Sequence, residues 1–357
     1  MMRRIKSRRL SMVHRLMVPC LYSDAGAECC GVHDPAGKSQ KESGVEARTE
    51  KERSPTPEIW AVGGGKGGTG KSFLISSIAN CLALQGKKII LVDADFGGAN
   101  LHTFLGVAKP KVSLTDFLEK RVPLTDLVVE SGIENMGLLI GAIHSLAPDD
   151  MKYTQKLKLF RHIRRLDADY ILLDLGAGSH FNTLDTFLLA DKKIIVVLPE
   201  ITAIENSYYF LKNAFFRQLL KTLGDHGFKD LILNAWSDRE THSIASLSQL
   251  IDYLRGVSTT VENIINRELS NFRAHIILNR VTTGQEVVIG RSIKSVCKKY
   301  FCVDAKYVGY VEHDSIIPRC INKRKPFMQA CPGTRCAREI ERVTENLLDG
   351  KDMHTRI

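Results

Sequence analysis

No run of apolar residues in this 357-residue chain reaches the roughly 18 that a membrane-spanning helix needs, so none is expected. The C-x2-C spacing of zinc and cluster sites is missing as well. The nine cysteines (Cys20, Cys29, Cys30, Cys81, Cys297, Cys302, Cys320, Cys331 and Cys336) are odd in number and scattered. With no secretory signal evident, reduced thiols are the expectation. Cys331 and Cys336 stand at C-x4-C with no second pair nearby, which argues against a metal site. Acidic residues are missing before Asp24, whereas Arg3, Arg4, Lys6, Arg8, Arg9 and Arg15 cluster there. That stretch fits an organellar transit peptide, a disordered basic tail, or a start placed upstream of Met12 or Met17. Residues 23–58 are polar, with Gly, Pro and Ser and little periodic apolar content, and read as linker or disorder.

What is present is more specific. Hydrophobic residues make up 44% of the chain, enough for an ordinary buried core of one large or two small domains. An apolar strand candidate at 59–62 runs into GGGKGGTGKS at 63–72, followed by a helical pattern over 73–84. Gly65, Gly70, Lys71 and Ser72 satisfy G-x-x-x-x-G-K-[ST] in the strand–loop–helix setting that a phosphate-binding loop requires. Glycines let successive N–H groups curl toward one anion. Lys71 can reach β- and γ-phosphates, Ser72 can offer its hydroxyl to Mg²⁺, and the helix N-terminus adds positive dipole. Residues 64–73 (Gly64, Gly65, Lys66, Gly67, Gly68, Thr69, Gly70, Lys71, Ser72 and Phe73) are therefore the expected nucleotide contacts, with ATP and Mg²⁺ as ligands. The plainer reading, a glycine-rich turn, leaves the Lys-Ser pair unexplained.

Three further constellations lie downstream. After an apolar run at 88–92 come Asp93 and Asp95, pointing the same way off the end of a strand. A second run, 170–173, ends in Asp174, with Gly176 and Gly178 following; this reads as a metal-binding aspartate with a flexible loop behind it. A third, at 275–278, ends in Asn279, whose amide offers a donor and an acceptor together. Each alone is weak; an aspartate or asparagine at a strand end is usually a turn former.

Lys66 inside the loop sharpens the assignment. With it, from about residue 59 to 348, the chain resembles the MinD/ParA family of deviant-Walker-A ATPases. The resemblance implies that Lys66 reaches across a dimer interface to the partner's phosphates, tying hydrolysis to dimerisation. It further implies that Asp95 orients the attacking water, Asp93 supports the metal shell, Asp174 holds Mg²⁺ with Ser72, Gly176 approaches the γ-phosphate, and Asn279 contacts adenine. Residues 100–106 (NLHTFLG), 175–178 (LGAG) and 198–204 (LPEITAI) resemble the FlhG-like flagellar-regulator and MinD-like branch. Two departures stand out. The activating D-Q-A-x-x-L-R-like segment of FlhG-type proteins is missing before Ile59. The last helical pattern (Ile340, Val343, Leu347, Leu348) carries Glu339, Glu341, Glu345 and Asp349, which suits a core-packing helix rather than a membrane-surface one.

Alternation of short apolar strands with helices predicts an α/β fold, a doubly wound and mostly parallel sheet with helices on both faces. The expected organisation is a basic extension at 1–58, an ATPase domain at 59–350 with a helical insertion at 215–273, and a tail at 351–357. Within the insertion, Leu247, Leu250, Ile251 and Leu254 form an amphipathic stripe, open to packing on the chain's own domain or to a partner. The expected function is a slow, partner-stimulated ATPase switch that dimerises on ATP and regulates placement or number of a cellular structure. It would be cytoplasmic, reaching the membrane only peripherally. Alternatives are a relative of cobyrinic acid a,c-diamide synthase (whose Cys–His–Glu amidotransferase domain is missing here), a binding module with structural ATP, or a DNA-associated partition ATPase. Lys298, Lys299, Lys323, Arg324 and Lys325 are the cations that could face DNA.

Overall fold

Short apolar runs form the central strands, and nearly every residue in them is buried. A computed structural model describes residues 56–95, 98–108, 111–119, 122–141 and 153–353; Phe96, Gly97, the basic extension before residue 56 and Cys20, Cys29 and Cys30 lie outside them. The strands are β1 (Glu58–Gly63), β2 (Ile89–Ala94), β3 (Val129–Glu130), β4 (Met136–Ile140), β5 (Tyr170–Leu175), β6 (Lys192–Val197), β7 (Ala274–Val281) and β8 (Lys306–Glu312). They form one sheet in the order β3-β4-β2-β5-β1-β6-β7-β8. Every neighbouring pair is parallel except β3–β4 at the edge.

Helices connect them: α1 (Lys71–Leu84), α2 (Leu101–Leu105), α3 (Leu114–Leu118), α4 (Tyr153–Ile163), α5 (Phe181–Leu189) and α6 (Ile201–Asp225) come before β7. So do α7 (Lys229–Ser237), α8 (Leu247–Arg255) and α9 (Thr259–Asn271). Beyond it lie α10 (Val288–Phe301), α11 (Ile316–Asn322), α12 (Phe327–Ala330) and α13 (Arg335–Asp349). Side chains that alternate along each strand fill two separate cores, as the period of two requires. Ile59, Ala61, Ile171 and Leu173 pack with Phe187, Phe210 and Phe215 on one face. Trp60, Val62 and Leu172 pack with Leu74 and Ile78 of α1 and Ile340 and Val343 of α13 on the other. Burial on both faces is why the strands read as unbroken apolar runs.

α13 buries Cys336, Ala337, Ile340, Val343 and Leu347, in keeping with the core-packing role expected of its sequence. Among the described residues no helix is long and apolar enough to cross a membrane. The helical pattern expected from residue 215 belongs to a longer rod: α6 runs unbroken for 25 residues from Ile201, burying Ala203, Ile204, Phe210, Leu211, Phe215 and Leu219. α8 starts on a capping box in which Ser246 accepts from the Gln249 amide. Its stripe of Leu247, Leu250, Ile251 and Leu254 is fully committed to the core of its own chain. Phe272, just after α9, meets Phe215 edge-on at 5.0 Å between ring centroids.

β7 carries a buried imidazole, His275, at 2% exposure. Burial, with Lys192 adding to it, pushes its pKa down to about 4. The unfolded chain takes up the proton at its ordinary value of 6.5. The neutral ring therefore contributes stability that is present in full above pH 6.5 and lost as pH falls toward 4. The gap corresponds to about 3 kcal/mol. His275→Gln, which cannot titrate, should show a shallower loss of unfolding free energy between pH 6.5 and 4.5 in denaturant titrations. Equal slopes for the two proteins would show that His275 does not carry this effect.

Candidate functional site

The C-terminal ends of β1, β2 and β5 meet the N-terminus of α1, and the chemistry collects there. β1 ends at Gly63 and the loop turns into α1 through Gly70, whose left-handed φ of 91° places it at the N-cap without a side chain. A Cβ at Gly70 would collide with the Asn279 amide nitrogen. No acidic residue stands in the first turn of α1, and no side chain caps it. Its leading N–H groups are thus left to an anion, which the helix dipole also favours. Gly65 lies so close to the Asn206 carbonyl that only glycine fits, which seats the loop against α6.

Lys71 is 8% exposed, and its Nζ donates to the Lys66 carbonyl at 3.4 Å. Burial holds its pKa below the ordinary lysine value, while the charges of Asp174 and Asp95 oppose that shift. The hydroxyl of Ser72, the next residue, hydrogen-bonds to Asp174. Parallel register sets Asp93 beside Asp174 at the ends of β2 and β5. Asp174 is 3% exposed, and its Oδ1 has no hydrogen-bond partner among the described residues. Burial pushes its pKa up to about 7; the Ser72 bond and Lys71 pull the other way, and Asp93 adds to the rise. Asp93 is fully buried and spends both oxygens on backbone amides, Oδ1 on Asp95 at 3.2 Å and Oδ2 on Leu101 at 3.0 Å. Burial raises it to about 6.

A buried carboxylate oxygen without a donor, beside a serine hydroxyl, suits a hard cation that takes oxygen ligands and keeps several waters. The residues present therefore fit Mg²⁺: Ser72 and Asp174 would hold it, with Asp93 fixing the turn behind them. Asp95 is half-buried and its carboxylate lies against Gly176, where an added Cβ would sit 3.0 Å from Oδ1. The Gly178 amide donates to the Gly64 carbonyl at 3.2 Å, tying the loop after β5 to the loop after β1. Gly67 faces Ala177 in the same seam, and Gly68, like Gly70, has positive φ.

Three placements were not legible from motif spacing. The Lys66 ammonium meets Glu200 Oε2 and Thr202 Oγ1, each at 3.2 Å, at the start of α6. The partners lie within the 198–204 motif noted in the sequence, but nothing local links that motif to a lysine 134 positions earlier. Asn279 is 3% exposed, and its Nδ2 donates to the Thr69 carbonyl at 2.7 Å. Phe73 is buried edge-on against Phe327, with 5.3 Å between centroids.

Residues 57–222 match the AAA domain family. The septum site-determining protein MinD of Helicobacter pylori is 32% identical over 288 residues, covering 80% of this chain and 88% of that protein. Antiactivator FleN of Pseudomonas aeruginosa is 22% identical over 296 residues, covering 81% and 86%. Among solved structures, MinD of Pyrococcus horikoshii complexed with Mg-ADP superposes with a TM-score of 0.55 at 20% identity, over 82% of this chain and 98% of that one. A chain of the MinC:MinD complex of Aquifex aeolicus gives 0.54 at 21% identity, over 84% and 98%. At these identities the two structures establish the shared fold.

The Asn279–Thr69 bond predicts a measurable property of the protein without nucleotide. Asn279→Ala leaves a buried carbonyl unpaired, a loss of about 1–3 kcal/mol. Hydrogen exchange at the Leu74 amide, which donates to the Gly70 carbonyl at 3.0 Å, should then quicken by roughly tenfold. Unchanged protection would mean that Asn279 does not pin the loop.

Proposed function

The chain belongs to the MinD/ParA family of P-loop ATPases, and from that premise we propose that it is a nucleotide-operated switch. In this proposal it binds ATP with Mg²⁺, pairs with a second copy of itself, hydrolyses ATP slowly, and regulates placement or number of a cellular structure such as a flagellum or division site. The observation that carries it is the meeting of Ser72 with buried Lys71 and Asp174, where Asp174 Oδ1 is buried and has no hydrogen-bond partner among the described residues. The names of its relatives support the process: one determines the septum site and another is an antiactivator. One solved relative carries Mg-ADP and another is complexed with MinC, in line with a nucleotide-binding protein that engages a protein partner.

In this mechanism the α1 amides and the Lys71 ammonium bind the β- and γ-phosphate oxygens, in a setting where burial strengthens each charge-assisted bond. Bound Mg²⁺ supplies Lewis-acid polarisation of the phosphoryl oxygens. Asp95, poised against Gly176, orients a water for in-line attack and accepts its proton. Gly176 and Gly178 leave room for the γ-phosphate, and the Gly178 amide bond to the Gly64 carbonyl lets the two loops respond together. Asn279 would present its remaining amide capacity to the adenine edge.

Lys66 has an available position in the single chain, on Glu200 and Thr202. The pair is exposed, with side-chain accessibilities of 39% and 56%. Exposed ion pairs contribute only about 0.2–1 kcal/mol. A charge-assisted bond to a desolvated phosphate contributes about 1.5–3 kcal/mol. On that balance the lysine leaves its own chain for a partner's phosphates whenever two copies close.

Lys71→Ala should weaken ATP binding by roughly ten- to a hundredfold, since it deletes one such bond. Asp95→Ala should keep ATP affinity within a few-fold while hydrolysis falls, leaving a dimer that persists with ATP in size-exclusion chromatography. Calorimetry and phosphate release read both. Wild-type affinity in Lys71→Ala would remove the phosphate-loop assignment, and unaltered hydrolysis in Asp95→Ala would remove its role in positioning water.

A further inference from the structure

Two cysteines eleven positions apart meet in the fold: the Sγ atoms of Cys320 and Cys331 lie 3.6 Å from one another. Cys320 sits in α11 at 7% exposure, and Cys331 follows the last residue of α12, half-buried. Both are free thiols. Sulfurs already in contact need close only to about 2.05 Å to bond, which small side-chain rotations supply. The spacing of Cys331 and Cys336 argues against a metal site, and the fold brings Cys331 to Cys320 instead.

We propose that Cys320 and Cys331 form a redox-active dithiol, a modification site that hydrogen peroxide converts to an intramolecular disulfide. The more accessible Cys331 reacts first: its thiolate sulfur attacks one peroxide oxygen, the O–O bond breaks, and hydroxide leaves, giving sulfenic acid. The Cys320 sulfur then attacks the sulfenyl sulfur, the S–S bond forms, and water carries away the hydroxyl and the thiol proton. Two thiols lose two electrons and two protons in all, and one peroxide is reduced to two waters. Burial raises the pKa of Cys320, which suits a thiol that resolves rather than initiates.

The bond would tether the segment between the two sulfurs. Ile321, Pro326 and Phe327 of that segment line one cleft with Phe73 and Asn80 of α1 and Phe104 of α2. The Arg324 carbonyl lies against Gly106 just beyond α2. A covalent tie there fixes the wall behind the phosphate loop. That consequence rests on the nucleotide reading; the formation of the disulfide does not.

Peptide mapping of the full chain tests the site. Trypsin cleaves after Arg319, Lys323, Arg324 and Arg335, which puts Cys320, Cys331 and Cys336 on separate peptides. After stoichiometric peroxide, remaining thiols are capped with N-ethylmaleimide and the digest is read by mass spectrometry. The Cys320 and Cys331 peptides should appear cross-linked, lighter by two hydrogens, and dithiothreitol should release them. In Cys320→Ser, Cys331 should accumulate as a sulfenic acid that dimedone captures; in Cys331→Ser, Cys320 should remain cappable. Both peptides still capped after peroxide, Cys331 joined instead to Cys336, or Cys331 oxidised to sulfinic acid in the wild-type chain would overturn the proposal.

Discussion

Asp174 is a carboxylate held at the end of a strand with neighbours on both sides, β2 and β1, and almost no contact with water. A buried charge of this kind is expensive unless it is paired and hydrogen-bonded. Its partners, Ser72 and Lys71, come from the loop and helix that β1 delivers, and Lys71 is itself pushed toward neutrality by the same burial. Each group needs the other, and neither is fully compensated by it. Phosphate oxygens for the lysine and a cation for the carboxylate supply the missing terms on the proposed reading. The order of the sheet follows from that need, because a parallel arrangement brings the ends of β1, β2 and β5 to one edge.

The phosphate loop was legible because its chemistry demands fixed local spacing. Glycines, lysine and serine must follow one another within ten residues, just after a strand and just before a helix. Doubly wound architecture was legible for a similar reason, since both-face burial makes each central strand an unbroken apolar run. Contacts between distant segments were not. Lys66 to Glu200 spans 134 positions and Asn279 to Thr69 spans 210. Two-residue β3 left no periodic trace, being too short to show one. The full length of α6 was hidden because its first turn overlaps a motif whose residues read as loop chemistry, so only its apolar second half stood out.

Beyond the site, the chain spends its amphipathic faces on itself. α7 and α9 cover the second half of α6, Trp236 meeting Phe216 and Phe272, just after α9, meeting Phe215, and α13 seals α1 on the opposite face. α1 is consequently buried nearly all round. A helix held that firmly keeps its N-terminus, and the amides offered there, in one position. Preorganised donors of this kind need no rearrangement at the moment charge develops on a phosphoryl group.

Lys66 is the residue on which the proposed switch turns, because its present contacts are weak and its proposed ones lie in another molecule. A mixing experiment isolates that step. Lys66→Ala keeps an intact phosphate site but lacks the crossing cation, while Lys71→Ala keeps the crossing cation but lacks a working site. Each homodimer should hydrolyse ATP poorly. Mixed at equal concentration, the two should recover hydrolysis, because Lys66 of one copy serves the site of the other. Phosphate release that rises well above the mean of the separate proteins is the predicted result. Full activity in Lys66→Ala alone, or no recovery on mixing although the two variants co-elute as a dimer with ATP, would contradict the account.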